Sequence, residues 1–504
     1  MTLLAIIQAV IALWMTMYGI QAIILLLLYL RHRKDPVPAP PHVDRSELPH
    51  VTVQVPVYNE LYVVERVIDH VAALDYPSEK LHIQILDDSS DETFHLSRAR
   101  AALYRERGVD IEVLRRPERS GFKAGALNWG LSHTRSEYIA IFDADFCPKP
   151  DFLLQTIPHF LAHPRLGMVQ TRWTYLNTNY SSLTAAQAVA FDGHFGVDQI
   201  ARCRSGLFMN FNGTGGVWRR RCIEEAGGWE GDTLTEDLDL SYRAQLAGWE
   251  FLYLPMVEVA AELPPQITAF KRQQFRWSQG TTQTLRKLSG RILHSPNLRW
   301  SKKTMGLLHL SSYLAHTLMI LHLLISLPML LLPDSAHLPV ENIFGLLGLG
   351  PPLVFIIAQY QLHPDWWRRL RAFPMTMLLV VGIAWCSARA AWRGLTHWGG
   401  TFVRTPKFRL EGKKGHWTDS GYRLPADSNT IGEIVLALYA LTATVVAWLT
   451  HHYTVIPFTL TYAAALGMVA AMGLTQANPH YWQRPPRFVP LMDIIRPSQG
   501  EGEG

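Results

Sequence analysis

The first thirty residues, Met1–Leu30, contain no charged side chain, and Arg31-His32-Arg33-Lys34 follows at once. That run exceeds the roughly 20 apolar residues that cross a bilayer as a helix. Part of the chain is therefore expected inside lipid, where only helices and closed barrels satisfy their own backbone groups. A cleaved secretory signal requires a basic segment before the apolar run and a small-residue cleavage site after it. Neither is found here, so the run reads as a membrane anchor.

Four further segments, Met305–Leu332, Asn342–Leu362, Ile431–Leu449 and Thr454–Leu474, are each long and apolar enough to span. Residues 48–295 instead carry charges throughout, with Gly and Pro punctuation, as a soluble domain does. A mean hydropathy of +0.04 over 504 residues thus averages two opposite populations. The expected organisation is an anchor over 1–30, an α/β domain over 48–262, interfacial helices over 263–295, a membrane domain over 305–474 and a tail over 475–504. The tail is rich in Pro, Arg and Gly and is expected to be loosely ordered.

Phe373–Cys386 has only 14 apolar residues and runs on into a stretch where Arg389, Trp392 and Arg393 interleave with small residues. That length suits an interfacial helix over 373–398 better than a span. With five spans and a cytoplasmic α/β domain, the basic segments 31–34, 366–371 and 399–430 all fall inside. The outer loops, Pro333–Glu341 and His451–Tyr453, then contain no Lys or Arg, which satisfies the positive-inside rule. The expected product is an integral membrane protein with its N-terminus outside. Its net charge of +5 reflects contact with the lipid bilayer, not with nucleic acid. The four cysteines (Cys147, Cys203, Cys222 and Cys386) have no CxxC spacing and read as free thiols.

Within the soluble part, strands are expected at 51–57, 82–86, 111–114 and 138–142, alternating with helices over 60–74, 93–107 and 124–133. Such alternation implies a parallel, doubly wound sheet. Ligands of such sheets bind beyond the carboxyl ends of the strands. Polar clusters fall there: Tyr58-Asn59-Glu60, Asp87-Asp88-Ser89 and Asp143-Ala144-Asp145. A lone Asp after a strand often caps the next helix. Two carboxylates after a buried strand repel unless a cation compensates, and a divalent ion bridging to phosphate does so. There is no GxxxxGK[ST] loop and no GxGxxG after the first strand, which argues against a P-loop nucleotide hydrolase and a dinucleotide oxidoreductase. Lys123 sits between small residues at a helix start, where backbone N–H groups favour an anion.

The order of four elements is distinctive: Asp87-Asp88-Ser89, Asp143-Ala144-Asp145, Thr235-Glu236-Asp237 and Gln273-Gln274-Phe275-Arg276-Trp277, followed by apolar spans. It resembles the membrane-integrated family 2 glycosyltransferases, the cellulose synthase superfamily. Stretches such as RPERSGFKAGALNWG and FNGTGGVWRRRCIEEAGGW look most like its mannan and glucomannan synthase branch. The resemblance implies a cytoplasmic α/β GT-A catalytic domain, Rossmann-like with a doubly wound sheet, joined to an α-helical transmembrane domain. It also implies a nucleotide-sugar donor, UDP-glucose or GDP-mannose, and Mg2+ or Mn2+ as cofactor.

Carried over position by position, the resemblance makes Pro56, Tyr58 and Glu60 the base and ribose pocket, with Asp88 facing the base. Lys123 would contact the diphosphate, and Asp143 and Asp145 would hold the metal. Asp237 would be the general base and Glu236 would orient it. Gly213 and Thr214 would belong to a backbone-rich wall of the sugar pocket. Gln273, Arg276 and Trp277 would form the acceptor site. Phe402, Thr405 and Lys407 match a Phe-x-Val-Thr-x-Lys gating loop over 399–412, from which Arg404 departs by replacing Val. The expected reaction is inverting, processive extension of a β-linked polysaccharide coupled to its translocation. A glycolipid acceptor is the alternative, and a transporter with a vestigial nucleotide module a more distant one.

Overall fold

The computed structural model describes residues 3–36, 39–332, 348–418 and 420–477. Eight strands form one sheet: β1 (Val51–Val57), β2 (Leu81–Asp87), β3 (Ile111–Leu114), β4 (Tyr138–Ile141), β5 (Cys147–Pro148), β6 (Leu166–Tyr175), β7 (Gly216–Arg219) and β8 (Glu250–Ala261), in the order β3-β2-β1-β4-β7-β6-β8-β5. β1 explains itself, since six of its seven residues are buried on both faces, as a central parallel strand requires. Val51 is in register with Leu81 on one side and Tyr138 on the other; β2 runs level with β1 to Asp87, and β4 ends at Ile141 opposite Gln54, beside them on the same side of the sheet.

The first half matches the sequence expectation with small shifts. The helix expected over 60–74 is Val64–Ala72, because the chain first turns through Asn59 (φ 55°), and the Glu60 carbonyl accepts from the N–H groups of Val63 and Val64. Val64, Val67, Ile68 and Val71 then repeat at helical spacing, and all are buried.

The second half corrects the parallel expectation. β7 runs antiparallel to both β4 and β6, and β5 antiparallel to β8, so the sheet is mixed. β7 has four residues behind a glycine-rich turn, too short to show a period. Its reversal pairs Gly216 with Ile141, which delivers residues 212–215 to the carboxyl end of β4. Helices cover both faces over separate apolar cores. One holds Val53, Val55, Ile68 and Phe152, and the other Ile139, Ile141, Trp218 and Leu240.

Among the described residues, four helices are long and apolar enough to cross a membrane: Leu3–His32, Leu314–Leu331, Asn429–Leu449 and Ile456–Ala477. The paired helices Trp366–Gly382 and Ala384–Thr396, bent by 41°, pass together as a broken span or a re-entrant loop. The segment expected at 305–332 breaks at Ser311–Tyr313. Its first part, Trp300–Leu310, packs on the α/β domain through Gly306 against the Phe208 ring, so the apolar helix of spanning length starts at Leu314. Of Asn342–Leu362, residues 342–347 lie outside the described residues, as do Pro333–Glu341 and the tail from 478. The helix Gly350–Leu362 lies along Ser182–Gly193, where Gln359 and His363 both donate to Asp192 (2.9 Å each).

Candidate active site

One cavity opens at the shared carboxyl ends of β1, β2 and β4, and all but one of the site residues expected from sequence line it. The exception is Thr214. It is buried behind the wall, where its Oγ1 accepts the Asp143 N–H at 2.8 Å and so fixes the turn that carries Asp143.

The β2 carboxylates divide by role. Asp87 is buried and caps its own turn, accepting from Ser89 N–H (2.9 Å) and Ser97 Oγ (2.6 Å). Asp91 accepts the Thr93 N–H in the same manner (3.0 Å). Asp88 lines the cavity but is held by two bonds from Arg116, at 3.1 and 2.5 Å. Its oxygens are thereby largely committed to the protein. The Arg119 guanidinium lies 3.3 Å from the centroid of the Tyr58 ring, forming a flat cationic wall that sequence reasoning missed.

The cations and carboxylates beyond β4 interlock. Lys123 follows the left-handed pair Gly121 and Phe122 at the start of Phe122–Ser132 and donates to Asp143 Oδ1 (2.5 Å) and the Gly213 carbonyl (2.8 Å). Burial opposes its charge, but Asp143, Glu236 and Asp237 outweigh it and hold the ammonium above the ordinary lysine value. Asp145 accepts from Lys407 (2.7 Å) and from the Glu262 N–H (3.0 Å). Glu262, buried at the end of β8, accepts the N–H groups of Phe408 (2.7 Å) and Leu410 (3.0 Å), which docks the 402–410 loop onto the cleft. Arg404 approaches Glu60 Oε2 at 3.4 Å and stacks on the Tyr422 ring. Burial, opposed by Arg404 and assisted by Asp145, pushes the Glu60 carboxyl up to about 8.

Asp237 begins the helix Glu236–Leu246, where its Oδ1 accepts the Leu238 N–H (2.8 Å). Burial and the neighbouring Glu236 raise its pKa, with Lys123 pulling the other way. Gly213 (φ 83°) makes room for it, since a Cβ there would lie 2.9 Å from Asp237 Oδ2 and 3.5 Å from Lys123 Nζ. The helix Ile267–His294 brings Gln273, Arg276 and Trp277 to the far wall. Gln273 Oε1 and Arg276 Nε are buried without protein partners. Arg276 stacks over Phe402 at 4.5 Å, and Trp277 meets the Phe191 ring edge-on at 5.8 Å. Asn212, within the wall stretch expected from the resemblance, lines the cavity, as do Tyr175 and Glu262, which had no distinguishing pattern in sequence.

The same long helix sets the position of Asp237. A Cβ on Gly280 would come within 2.7 Å of the Thr235 nitrogen and 2.8 Å of the Leu234 carbonyl carbon. Gly280→Ala is therefore expected to destabilise the protein by roughly 1–3 kcal/mol through overpacking. It should also lower turnover by displacing Thr235-Glu236-Asp237. A thermal shift measured beside the transfer rate checks this, and an unchanged rate would refute the coupling.

Seven carboxyl and five cationic side chains line the cavity. Asp143 and Asp145 each face an ammonium where a divalent ion would otherwise neutralise them. Hard carboxylate oxygens of this kind fit Mg2+ or Mn2+. A second acidic group, Glu230, Asp232 and Asp239, has its oxygens within 4.8 Å of one another. The Lys287 ammonium bonds all three and the Arg243 guanidinium reaches Glu230 and Asp239, so protein cations already occupy that cluster.

Residues 49–280 match the sequence profile described as "Glycosyltransferase like family 2". Among curated proteins, the chain is 44% identical over 263 residues to a probable glucomannan 4-beta-mannosyltransferase 7 of Oryza sativa, covering 51% of this chain and 45% of that one. It is 37% identical over 317 residues to glucomannan 4-beta-mannosyltransferase 2 of Arabidopsis thaliana, covering 62% and 59%. The chain thus spans about half the length of the curated relatives it matches. Among solved structures, a mannosyltransferase of Pyrobaculum calidifontis in complex with GDP-Man and Mn2+ aligns with a TM-score of 0.53 at 22% identity, covering 77% of this chain and 99% of that one. The likeness is one of fold, the GT-A fold.

Proposed function

The chain carries a glycosyltransferase family 2 domain, and we propose that this domain transfers a mannosyl residue from GDP-mannose to the end of a growing β-linked polysaccharide. One observation carries the reading: Asp237, Lys123 and Asp143 converge within one cavity around Gly213, with Arg276 and Trp277 on its far wall. A base, cations for a leaving diphosphate and an aromatic-edged acceptor wall are what hexosyl transfer needs. The mannosyltransferase names of the relatives favour GDP-mannose over UDP-glucose.

In this reading the Asp237 carboxylate takes the proton from the acceptor hydroxyl as its oxygen bonds to the anomeric carbon and the bond to the nucleoside diphosphate breaks. Glu236, whose carboxylate lies 4.0 Å from the Lys123 ammonium, orients Asp237 in this reading. Attack from the face opposite the leaving group inverts the configuration. Lys123 and Arg276 receive the charge of the departing diphosphate. Asp143 and Asp145 would hold the divalent ion, which supplies Lewis-acid stabilisation of that charge when bound. Tyr58, Arg119 and Pro56 form the nucleoside side of the cavity, and Trp277 offers a stacking face to the terminal sugar.

The acceptor helix packs directly on Ala384–Thr396, where Ser278 Oγ donates to the Ser387 carbonyl at 2.8 Å. The cavity's acceptor end therefore adjoins the apolar helices, which supports a product released toward the bilayer; the basic segments beside those helices favour a cytoplasmic catalytic domain with the N-terminus outside. The phenylalanine, threonine and lysine of the 402–407 segment would close over the donor.

Membranes containing the protein, incubated with labelled GDP-mannose or UDP-glucose, test the proposal. The expected product is high in mass, labelled from GDP-mannose and cut by a β-mannanase. A single sugar on an organic-extractable lipid would overturn the polymer reading in favour of a glycolipid acceptor.

A further inference from the structure

Asn212 precedes Gly213 in the cavity wall, and nothing in the reaction above uses its side chain. With both ring nitrogens of His194 carrying hydrogen, so that Nδ1 donates to the Asp198 carboxylate, Oδ1 accepts from Asn210 Nδ2 (2.9 Å) and from His194 Nε2 (2.9 Å), while the Asn212 backbone N–H donates to Gln170 Oε1 (2.9 Å). With Oδ1 occupied twice, Nδ2 is left as the free end of the amide. That Nδ2 is buried and has no protein partner. A buried donor without a partner is costly and calls for a ligand or an ordered water.

Of the residues that orient it, His194 lies on an unusual turn. His194–Asp198 is a π-helical stretch in which the Gln199 N–H donates to the His194 carbonyl. Single π turns inside helical segments concentrate at functional sites. This one places His194 Nδ1 3.1 Å from Asp198 Oδ2, while the other Asp198 oxygen accepts from Arg202 Nε at 2.9 Å. Burial opposes the Asp198 charge, but Arg202 and His194 outweigh it and hold the carboxyl well below its usual range. Arg202, Asp198, His194 and Asn212 form a chain that ends on the unpaired amide.

We infer that Asn212 Nδ2 donates to a hydroxyl of the hexose being transferred, and that His194 is a positioning residue acting through Asn212. The chemistry selects this target. The amide is neutral and adjoins Gly213, whose backbone lies against Asp237, so it borders the place where the anomeric carbon meets the acceptor oxygen. The diphosphate has Lys123 and Arg276, and a neutral amide donor suits an uncharged hydroxyl. The inference rests on the proposed hexosyl transfer.

Binding of GDP-mannose and of GDP to the detergent-solubilised full chain, with Mn2+ present, tests it. Asn212→Ala is expected to weaken GDP-mannose roughly ten-fold, the worth of one neutral hydrogen bond, while GDP binding stays unchanged. His194→Ala should act in the same direction, and His194→Gln, which retains a donor, should restore most of the loss. The double variant His194→Ala/Asn212→Ala should bind no worse than Asn212→Ala alone, because both act through one amide. Equal weakening of GDP and GDP-mannose, no weakening at all, or losses that multiply in the double variant would each overturn the inference. Wild-type protein that binds neither ligand would overturn the donor reading and this inference together.

Discussion

Asp237→Asn is expected to lower sugar transfer by roughly 10^3-fold while leaving GDP-mannose affinity within a few-fold, since a general base contributes about 10^2–10^4. The substitution is nearly isosteric, and the Asn side-chain oxygen still accepts the Leu238 N–H that now seats Asp237 Oδ1. What it removes is the ability to take a proton. Measuring labelled-sugar incorporation beside donor binding separates the two effects; full transfer activity in the Asn variant would remove Asp237 from the mechanism. The pH profile provides a second reading of the same residue. Burial and Glu236 raise the Asp237 carboxyl, and Lys123 only partly offsets them. A base works deprotonated, so the rate should rise with pH along an acid limb placed above the ordinary Asp value of about 3.9. The apparent value belongs to the Glu236–Asp237 pair. Glu236→Gln removes the like charge and should move the limb to lower pH.

The divide between what the residues announced and what they hid follows from local versus distant causes. β1 and β2 were legible because each is a buried run followed by a helical segment, and the neighbouring ends of β1, β2 and β4 explain why Tyr58, Asp88 and Asp143 share one cavity. The mixed half of the sheet was not legible. β7 is four residues long, and its direction is set by pairing with β4 and β6, not by its own composition. Thr235-Glu236-Asp237 and Gln273-Gln274-Phe275-Arg276-Trp277 were legible as motifs. Their proximity depends on Gly280 meeting the backbone of Leu234 and Thr235, a contact 45 residues away in sequence. Asp88 is pinned by Arg116; Arg119 and Asn212 lie in stretches that carry the resemblance but were given no individual role, and Tyr175 and Glu262 lie in stretches where nothing marked them. The break at Ser311–Tyr313 escaped because hydropathy alone runs on through it, whereas the structure draws Trp300–Leu310 onto the α/β domain.

The largest expected effect on stability lies two residues before Gln273. Lys271 is fully buried on the acceptor helix and bonds Asp427 (2.8 Å) and both oxygens of Glu433 (3.0 Å each), itself fully buried in the helix Asn429–Leu449. An ionisable pair at the edge of the apolar spans persists only where each charge is answered. Lys271→Met preserves the bulk but leaves the Glu433 carboxylate without its cation, which should destabilise the protein by about 3–5 kcal/mol. Glu433→Gln should cost less, because Lys271 keeps Asp427 and an amide oxygen. The double variant Lys271→Met/Glu433→Gln should recover part of the loss, since only Asp427, which still accepts from Asn429 and Thr430, is then left without its cation. Thermal unfolding of the detergent-solubilised chain across the three variants measures this. Additive losses in the double variant would show that the two side chains stabilise independently, not as a pair. Because the same helix carries Arg276 and Trp277, the Lys271→Met variant should also raise the acceptor KM more than the donor KM, the signature of a helix loosened from its membrane partner.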